Sequence, residues 1–369
     1  MNIPFVDLKA QYQSIKQDID QAIASVIEEA AFIKGKYVQK FESEFAELYG
    51  VKHCIGVANG TDAIYIIMKM LGIKEGDEVI TVANSWISTS ETISQTGAKP
   101  VFIDIDEYFT IDVSKIEGKI TNRTKAIIPV HLYGQMADMN PIKQICEKYN
   151  LHLIEDCAQS HFSEYEGRRA GLFGVASTFS FFPGKNLGAY GDAGCIITND
   201  DSLAEKFRMY STHGALIKHN HIIEGINSRL DGLQASILSA KLPYILQWTA
   251  QRSQKAELYN KYLNGIQNIE LPKIRPNTKH SYHLYVIKAE KRDELRMFLQ
   301  SKSIACEIHY PVPLPFMPAY EYLKSNRNDF KVVSDNQLKI LSLPVYPELG
   351  EKQIEYIAQN IKEFYIHSQ

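Results

Sequence analysis

The chain is long and close to electrical neutrality. Its 369 residues, 45% of them hydrophobic, exceed what one compact domain usually holds, so two closely packed domains are expected. With 40 Lys and Arg against 43 Asp and Glu, the formal net charge of -3 argues against a nucleic-acid or membrane partner. Its start lacks a signal-peptide pattern, and no apolar run could span a bilayer. Five scattered cysteines suit a reducing compartment, so a soluble cytoplasmic protein is expected.

Strand and helix patterns alternate over residues 50–210. Two helical patterns precede this block, near Gln11–Ala31 and Val38–Tyr49, and Asn140–Tyr149 shows helical spacing within it. The alternation predicts an α/β fold with a mostly parallel sheet, whose ligand sites lie at the carboxyl ends of strands. The predicted strands are Cys54–Ala58, Glu78–Ala83, Pro100–Ile105, Ala126–Val130, Leu151–Glu155, Thr178–Phe182 and Gly194–Thr198.

The remainder of the chain has a different pattern. Leu230–Leu263 predicts one long helix, or two joined near Pro243, because proline interrupts helical hydrogen bonds. A smaller mixed domain should follow, which divides the chain into residues 1–245 and 246–369. Its predicted elements are a strand over His280–Ala289, a helix over Lys291–Gln300, a strand over Glu307–Val312 and a helix over Glu351–Tyr365.

Two of the predicted strand ends carry polar groups that suit a cofactor. At Ala58–Ala63 (ANGTDA), a strand, a glycine turn and a helix follow one another, so free N–H groups could hold a phosphate. The same letters also fit ordinary turn and capping chemistry. Asp156 ends a buried strand, where it could keep a cofactor's ring nitrogen protonated. Its alternative role is to cap the next turn.

Lys185 stands in an unusual setting for a lysine. It follows the aromatic run Phe179–Phe182 and is enclosed by Pro183, Gly184 and Gly188. Most lysines are exposed, but desolvation at such a position lowers the pKa of the amine and makes it a usable nucleophile. The sequence therefore favours Lys185 as a catalytic amine.

A fourth segment combines an amide and a guanidinium ahead of the long helix. Asn227 and Arg229 could reach phosphate oxygens. A helix cap by Asn227 or Ser228 explains the same letters equally well. Together, the four segments provide a phosphate cradle, an acid for a ring nitrogen and a nucleophilic amine, in an order that chance explains poorly.

These segments resemble the sugar aminotransferases of the DegT/StrS family. The likeness runs from Phe5–Leu8 to the last helix. Its most specific stretches are Ala58–Ala63, Pro129–Gln135, Ile154–Gln159, Ser180–Lys185 and Asn227–Leu230. The resemblance implies the aspartate-aminotransferase fold (fold type I), pyridoxal 5'-phosphate (PLP) as the cofactor, and a homodimer with shared active sites.

The resemblance also implies roles around the cofactor ring. Lys185 would bind PLP covalently and later carry the proton. Asp156 would pair with the pyridine nitrogen, and Gln159 would bond the ring hydroxyl. Trp86 lies where the family more often has a tyrosine stacked on the ring; otherwise it is a core or surface aromatic.

The cofactor's phosphate has its own implied set of residues. Gly60, Thr61 and Ser180 would hold it from one subunit, and Asn227 would reach it from the other. No metal site is predicted.

The activity implied is transfer of an amino group from glutamate to a nucleotide-linked keto sugar, in deoxyamino-sugar biosynthesis. Sugar dehydratases of the same superfamily carry a histidine in place of the cofactor-binding lysine, so Lys185 favours transamination. A PLP-fold protein acting as a regulator is the non-enzymatic alternative.

The segment Glu307–Leu314 predicts where the sugar is aminated. Its His309-Tyr310-Pro311 run resembles members that aminate carbon 3, which implies a dTDP-linked 3-keto-6-deoxyhexose. A UDP-linked 3-keto-N-acetyl-uronate comes next and a 4-keto sugar third. Without the resemblance, His309 would simply end a strand and Tyr310 would pack under the second domain. Cations for the substrate phosphates could come from Arg229, Lys218, His219 and His221.

Overall fold

The computed structural model describes residues 1–367, which form twelve α-helices and thirteen β-strands. The strands are β1 His53–Val57, β2 Glu78–Val82, β3 Lys99–Ile103, β4 Thr124–Ile128, β5 His152–Asp156, β6 Glu164–Tyr165, β7 Arg168–Arg169, β8 Ala176–Ser180, β9 Gly194–Thr198, β10 Ile269–Glu270, β11 Thr278–Lys279, β12 Tyr285–Ala289 and β13 Ile340–Leu343. The helices are α1 Leu8–Ser14, α2 Lys16–Glu28, α3 Lys36–Tyr49, α4 Gly60–Met70, α5 Ser88–Gln95, α6 Met139–Tyr149, α7 Asp201–Tyr210, α8 Gly232–Lys241, α9 Ile245–Leu263, α10 Arg292–Ser301, α11 Lys331–Gln337 and α12 Glu351–His367.

Seven strands form the central sheet, in the order β1-β9-β8-β5-β4-β2-β3. The pairs β2–β3, β2–β4, β4–β5 and β5–β8 are parallel, while β9 runs antiparallel to both of its neighbours. Every residue of β2 and β9 is buried, as expected for a sheet covered on both faces. The predicted mostly parallel sheet is confirmed, with each of its seven strands within two residues of the predicted bounds.

The long helical stretch after residue 230 is divided at its proline. The α8 and α9 helices are joined by a 3₁₀ turn over Leu242–Tyr244, which contains Pro243. Because α8 begins at Gly232 after Asp231, neither Asn227 nor Ser228 caps it, and the capping interpretation of these residues is wrong. The predicted helix at Gln11–Ala31 is likewise two helices, α1 and α2, which meet at Ile15.

One predicted strand of the C-terminal part is wrong. Residues 307–312 form no strand, and only Glu307 bridges to Ser342 of β13. Pro311 and Pro313 lack the N–H that a ladder needs, so the chain leaves the sheet there. The small antiparallel sheet is β10-β12-β13 instead, and β13 was not predicted.

Helix α9 carries the chain from the first part to the second. Ile245 and Trp248 pack in the large hydrophobic cluster beside the central sheet, whereas Ala256 and Tyr259 belong to a second cluster. The members of that second cluster are Ile3 and buried hydrophobic residues from the range 256–365. A β-bridge between Ile3 and Ile304 connects the start of the chain to this part. The division between residues 245 and 246 stays a prediction.

Among the described helices, none is both long and apolar enough to cross a membrane.

Candidate active site

A cavity of about 530 Å³ opens where the carboxyl ends of β1, β2, β5 and β8 face residues of the C-terminal part. Nine of the residues predicted from the sequence line it: Gly60, Thr61, Trp86, Asp156, Gln159, Ser180, Lys185, His309 and Tyr310. Other residues of its wall include Phe5, Ser85, Thr89, Arg252, His283 and Val345. The position at strand ends is the one that the sheet topology favours for a ligand.

One end of the cavity is built to receive an anion. Helix α4 begins here at Gly60, and Asn59 caps it by accepting a hydrogen bond from the Asp62 N–H at 2.8 Å. The N–H groups of Gly60 and Thr61 have no partner within the helix, and the helix dipole favours negative charge beside them. A Cβ added to Gly60 would lie 2.8 Å from the Ser180 Cβ, so α4 and β8 approach too closely for a larger residue.

Asp156 is held rigidly in the floor of the cavity. The Thr89 hydroxyl, on α5, donates to Oδ2 at 2.8 Å, and the Ala158 N–H donates to Oδ1 at 3.1 Å. The Ser85 hydroxyl contacts the Thr89 hydroxyl at 3.0 Å and continues this network. Two donors therefore fix the orientation of a buried carboxylate, so it does more than cap a turn.

Lys185 lies in the connection after β8, where its N–H donates to the Phe182 carbonyl at 2.8 Å. The Lys185 side chain is partly accessible because it faces the cavity, but protein atoms surround the rest of the side chain densely. Burial lowers the pKa of the amine to about 8, and the Asp156 carboxylate opposes that shift. A lysine with such a pKa has a usable fraction of neutral amine near neutral pH.

Gln159 and Tyr310 are joined across the cavity. The Gln159 Oε1 accepts the Tyr133 N–H at 2.8 Å, and its Nε2 donates to the Tyr310 hydroxyl at 3.0 Å. One N–H of that Nε2 is left for a ligand. The rings of Trp86 and Tyr310 stand 5.8 Å apart, and Trp86 is 60% exposed on the cavity wall, so it is not a core residue.

His309 also lies in the wall, in a loop rather than at a strand end. Its Nδ1 is 2.8 Å from the Ser342 hydroxyl, and its ring stacks on Phe5 with centroids 5.6 Å apart. Burial, with a smaller effect of the Lys185 charge, lowers the pKa of His309 to about 4. The neutral imidazole can donate or accept a hydrogen bond, but adds no positive charge to the cavity at neutral pH.

Five predicted residues lie outside the cavity of their own chain. Asn227 is exposed and bridges to Thr212, and Arg229 lines a separate depression of about 300 Å³. The loop that precedes them exposes the three remaining candidates, Lys218, His219 and His221.

Sequence reasoning missed three side chains of the site. Thr89 had a usable signal, because a Ser- and Thr-rich helix start follows Trp86 in the sequence. His283 and Arg252 had none, since each reaches the cavity only through the packing of the C-terminal part against the sheet.

The residues present fit PLP. The cavity combines a partly desolvated amine, a fixed carboxylate and a helix N-terminus too crowded for a Cβ at Gly60. In this arrangement Lys185 would hold the cofactor, Asp156 would face its ring nitrogen, and Gly60, Thr61 and Ser180 would surround its phosphate. When bound, PLP supplies an electron sink for the reacting carbon.

Comparison with known proteins agrees with this interpretation. A profile of the DegT/DnrJ/EryC1/StrS aminotransferase family matches residues 13–362. A pleiotropic regulatory protein of Geobacillus stearothermophilus is 45% identical over 100% of both chains. A dTDP-3-amino-3,4,6-trideoxy-alpha-D-glucose transaminase of Streptomyces venezuelae is 38% identical, over 98% of this chain and 96% of its own. The crystal structure of S. venezuelae DesV superposes with a TM-score of 0.96 at 38% identity, over 98% of each chain.

The chain is therefore a PLP-dependent sugar aminotransferase with the fold type I architecture. It belongs to the DegT/DnrJ/EryC1/StrS aminotransferase family. The fold class, the cofactor and the enzyme class predicted from the sequence are confirmed.

Proposed function

We propose that the enzyme transfers the amino group of glutamate to carbon 3 of a dTDP-linked 3-keto-6-deoxyhexose. The observation that carries this proposal is the location of the His309-Tyr310-Pro311 run. Both His309 and Tyr310 line the cavity, and the Tyr310 hydroxyl accepts a hydrogen bond from Gln159 beside the expected position of the cofactor ring. These two side chains are positioned to meet a sugar that approaches Lys185.

The names of similar proteins support a dTDP-linked 3-amino product. Besides the Streptomyces enzyme, a dTDP-3-amino-3,6-dideoxy-alpha-D-galactopyranose transaminase of Aneurinibacillus thermoaerophilus is 41% identical over 98% of this chain. Both printed names describe a dTDP sugar with its amino group at carbon 3.

A UDP-linked 3-keto-N-acetyl-uronate is the second candidate. A UDP-2-acetamido-2-deoxy-3-oxo-D-glucuronate aminotransferase of Pseudomonas aeruginosa is 40% identical over 96% of this chain. This candidate substrate would also be aminated at carbon 3. It differs from the dTDP-linked hexose in its nucleotide and in the carboxylate on its sugar. A 4-keto sugar is the third candidate.

We propose that the enzyme is a cytoplasmic homodimer, in which the predicted residues outside the cavity of their own chain act in the site of the partner. Asn227 is exposed, so it is free to reach the cofactor phosphate of a second subunit. Arg229, with Lys218, His219 and His221 of the same region, would then meet the substrate's phosphates in the partner's site. Exposed apolar side chains at Leu216, Ile217 and Ile222 supply a surface for this contact.

The deciding experiment gives the PLP-loaded enzyme glutamate together with dTDP-3-keto-6-deoxyhexose, its 4-keto isomer or the UDP-uronate, in separate reactions. We expect the highest kcat/KM for the dTDP 3-keto sugar, with Lys185→Ala as the inactive control. Preference for the 4-keto isomer would contradict the carbon-3 assignment. Preference for the UDP-uronate would change only the sugar.

The same experiment tests the non-enzymatic alternative, which the printed name of the Geobacillus relative brings forward. A regulator that keeps PLP would lose the cofactor's visible absorption on Lys185→Ala, yet its native form would aminate none of the three sugars. Amino transfer to any of them excludes a purely regulatory role.

A further inference from the structure

Arg252 is a buried cation in the cavity wall that the assigned cofactor and sugar residues leave unexplained. It stands on α9 and is 3% exposed. Its Nη1 donates to the Val345 carbonyl at 2.7 Å and to the Tyr282 carbonyl at 3.2 Å. Val345 lines the cavity, and Tyr282 precedes His283, which also does. The guanidinium is therefore clamped between two cavity-lining segments of the C-terminal part.

Among residues 1–367, the opposite edge of the guanidinium has no hydrogen-bond partner. Nε is buried without a hydrogen bond, and within residues 1–367 no hydrogen bond uses Nη2. Nε–H and Nη2–H point in parallel, which is the fork that binds both oxygens of a carboxylate. A buried charged donor without a partner is costly, so its persistence on a cavity wall indicates an acceptor that arrives with a ligand.

Nearby charges act on Arg252 without occupying its free edge. Glu348 is the acid that acts on it, through charge rather than a hydrogen bond, and Glu348 acts on the buried Lys241 as well. Burial lowers the pKa of His283 most, and the charges of Lys185 and Arg252 lower it further; all three side chains line this cavity.

We propose that the free edge of Arg252 binds the carboxylate of the amino donor. This inference rests on the proposed function for its donor, glutamate. In an amino acid the α-carboxylate is attached to the carbon that bears the amine, so it must stay within a few ångströms of that amine when the amine reaches the Lys185 position. Arg252 is a buried cation of the same wall, and its free Nε–H and Nη2–H groups match the two oxygens of a carboxylate. A dTDP-linked 3-keto-6-deoxyhexose carries no carboxylate to occupy it.

Calorimetric titration of the PLP-loaded protein with maleate, a dicarboxylate without an amino group, measures this site directly. In Arg252→Gln we expect the dissociation constant to rise roughly 10- to 100-fold, because a charge-assisted bidentate contact is lost. Arg252→Lys should keep part of the affinity, since it keeps the charge but not the fork.

A matched control is available at Arg292, on α10. It is buried to a similar degree, and its Nη1 likewise donates to two carbonyls, of Gln337 and Ile340, but it does not line the cavity. Arg292→Gln should bind maleate as the native protein does. Equal maleate affinity in Arg252→Gln and the native protein would overturn the proposal, and so would an equal loss in Arg292→Gln.

The two half-reactions distinguish the donor's carboxylate from one on the sugar. For Arg252→Gln, the glutamate concentration that half-saturates the loss of the cofactor's visible absorption should rise at least roughly 10-fold. The return reaction with the dTDP keto sugar should be unchanged. A defect confined to the sugar half-reaction would overturn the donor assignment. If native protein binds maleate through Arg252 but does not react with glutamate, the carboxylate site stands and the proposed donor fails.

Discussion

The Lys185 amine and the Asp156 carboxylate line one cavity, and the charge of Asp156 partly offsets the effect of burial on Lys185. This pairing suits the two roles proposed for Lys185, which are to hold the cofactor and to carry a proton. Lys185→Ala should lower turnover at least about 1,000-fold, because Lys185 is the one lysine among the described residues that line the cavity. Folding should survive, since the change takes no apolar volume from the core. Steady-state assays with a native-like circular dichroism spectrum check this, and substantial transfer by the variant would contradict it.

His161 gives the protein a pH-dependent stability. Its ring packs between Phe179 and Phe181 at centroid distances of 5.3 and 5.7 Å, and neither ring nitrogen has a hydrogen-bond partner in the described part of the chain. Burial, with smaller effects of Lys185 and Arg252, lowers its pKa from 6.5 to about 3. Below pH 6.5 the unfolded chain therefore binds a proton that the folded chain refuses, so the free energy of unfolding falls as the pH drops.

The expected size of this effect is about 2 kcal/mol at pH 5. His161→Leu should reduce the loss of unfolding free energy between pH 7 and pH 5 by that amount, because leucine keeps the apolar contacts and cannot be protonated. Urea unfolding of cofactor-free protein at both pH values measures it. The same pH dependence in both proteins would show that His161 is not the source.

At the scale of elements, α4 and β8 approach closely at the predicted phosphate site. Gly60→Ala places a Cβ 2.8 Å from the Ser180 Cβ and 3.2 Å from its Cα, so the start of α4 must shift away from β8. We expect the affinity for PLP to fall roughly 10-fold, as the N–H donors move off the phosphate. Gly118→Ala is the control, because its added Cβ meets no atom within 4 Å. Titration of cofactor-free protein with PLP tests both, and unchanged affinity in Gly60→Ala would contradict the account.

The elements also show where sequence patterns stop being informative. The seven central strands were predictable, because buried parallel strands read as apolar runs between helical patterns. Asp156 and Lys185 were predictable too, since Asp156 ends one such strand and Lys185 follows another. The prediction of a strand at residues 307–312 was wrong because Pro311 and Pro313 lack the N–H groups that strand pairing needs, whatever the apolar pattern indicates. Arg252 could not be found, because an arginine on a helix is normally exposed and only its contacts with the Tyr282 and Val345 carbonyls place it in the cavity wall.

At the scale of the whole molecule, we expect two chains to share two sites. Sedimentation equilibrium should give twice the 41.9 kDa of one chain. Asn227→Ala should weaken PLP binding without changing that mass, because Asn227 is exposed on its own chain and is proposed to contact the cofactor phosphate of the partner. An active monomer that is fully loaded with PLP would refute the shared site.

The most direct test of the central claim, that Lys185 holds the cofactor, is to reduce the PLP-loaded protein with borohydride and map the labelled peptide by mass spectrometry. The chain offers a demanding comparison in Lys241, a second buried lysine whose pKa burial also lowers to about 8. Lys241 donates to the Gly188 carbonyl at 2.7 Å and lies outside the cavity. Label on the peptide that contains Lys185 alone is the predicted result. Label on Lys241, or on any other lysine in place of Lys185, would contradict the assignment of the site.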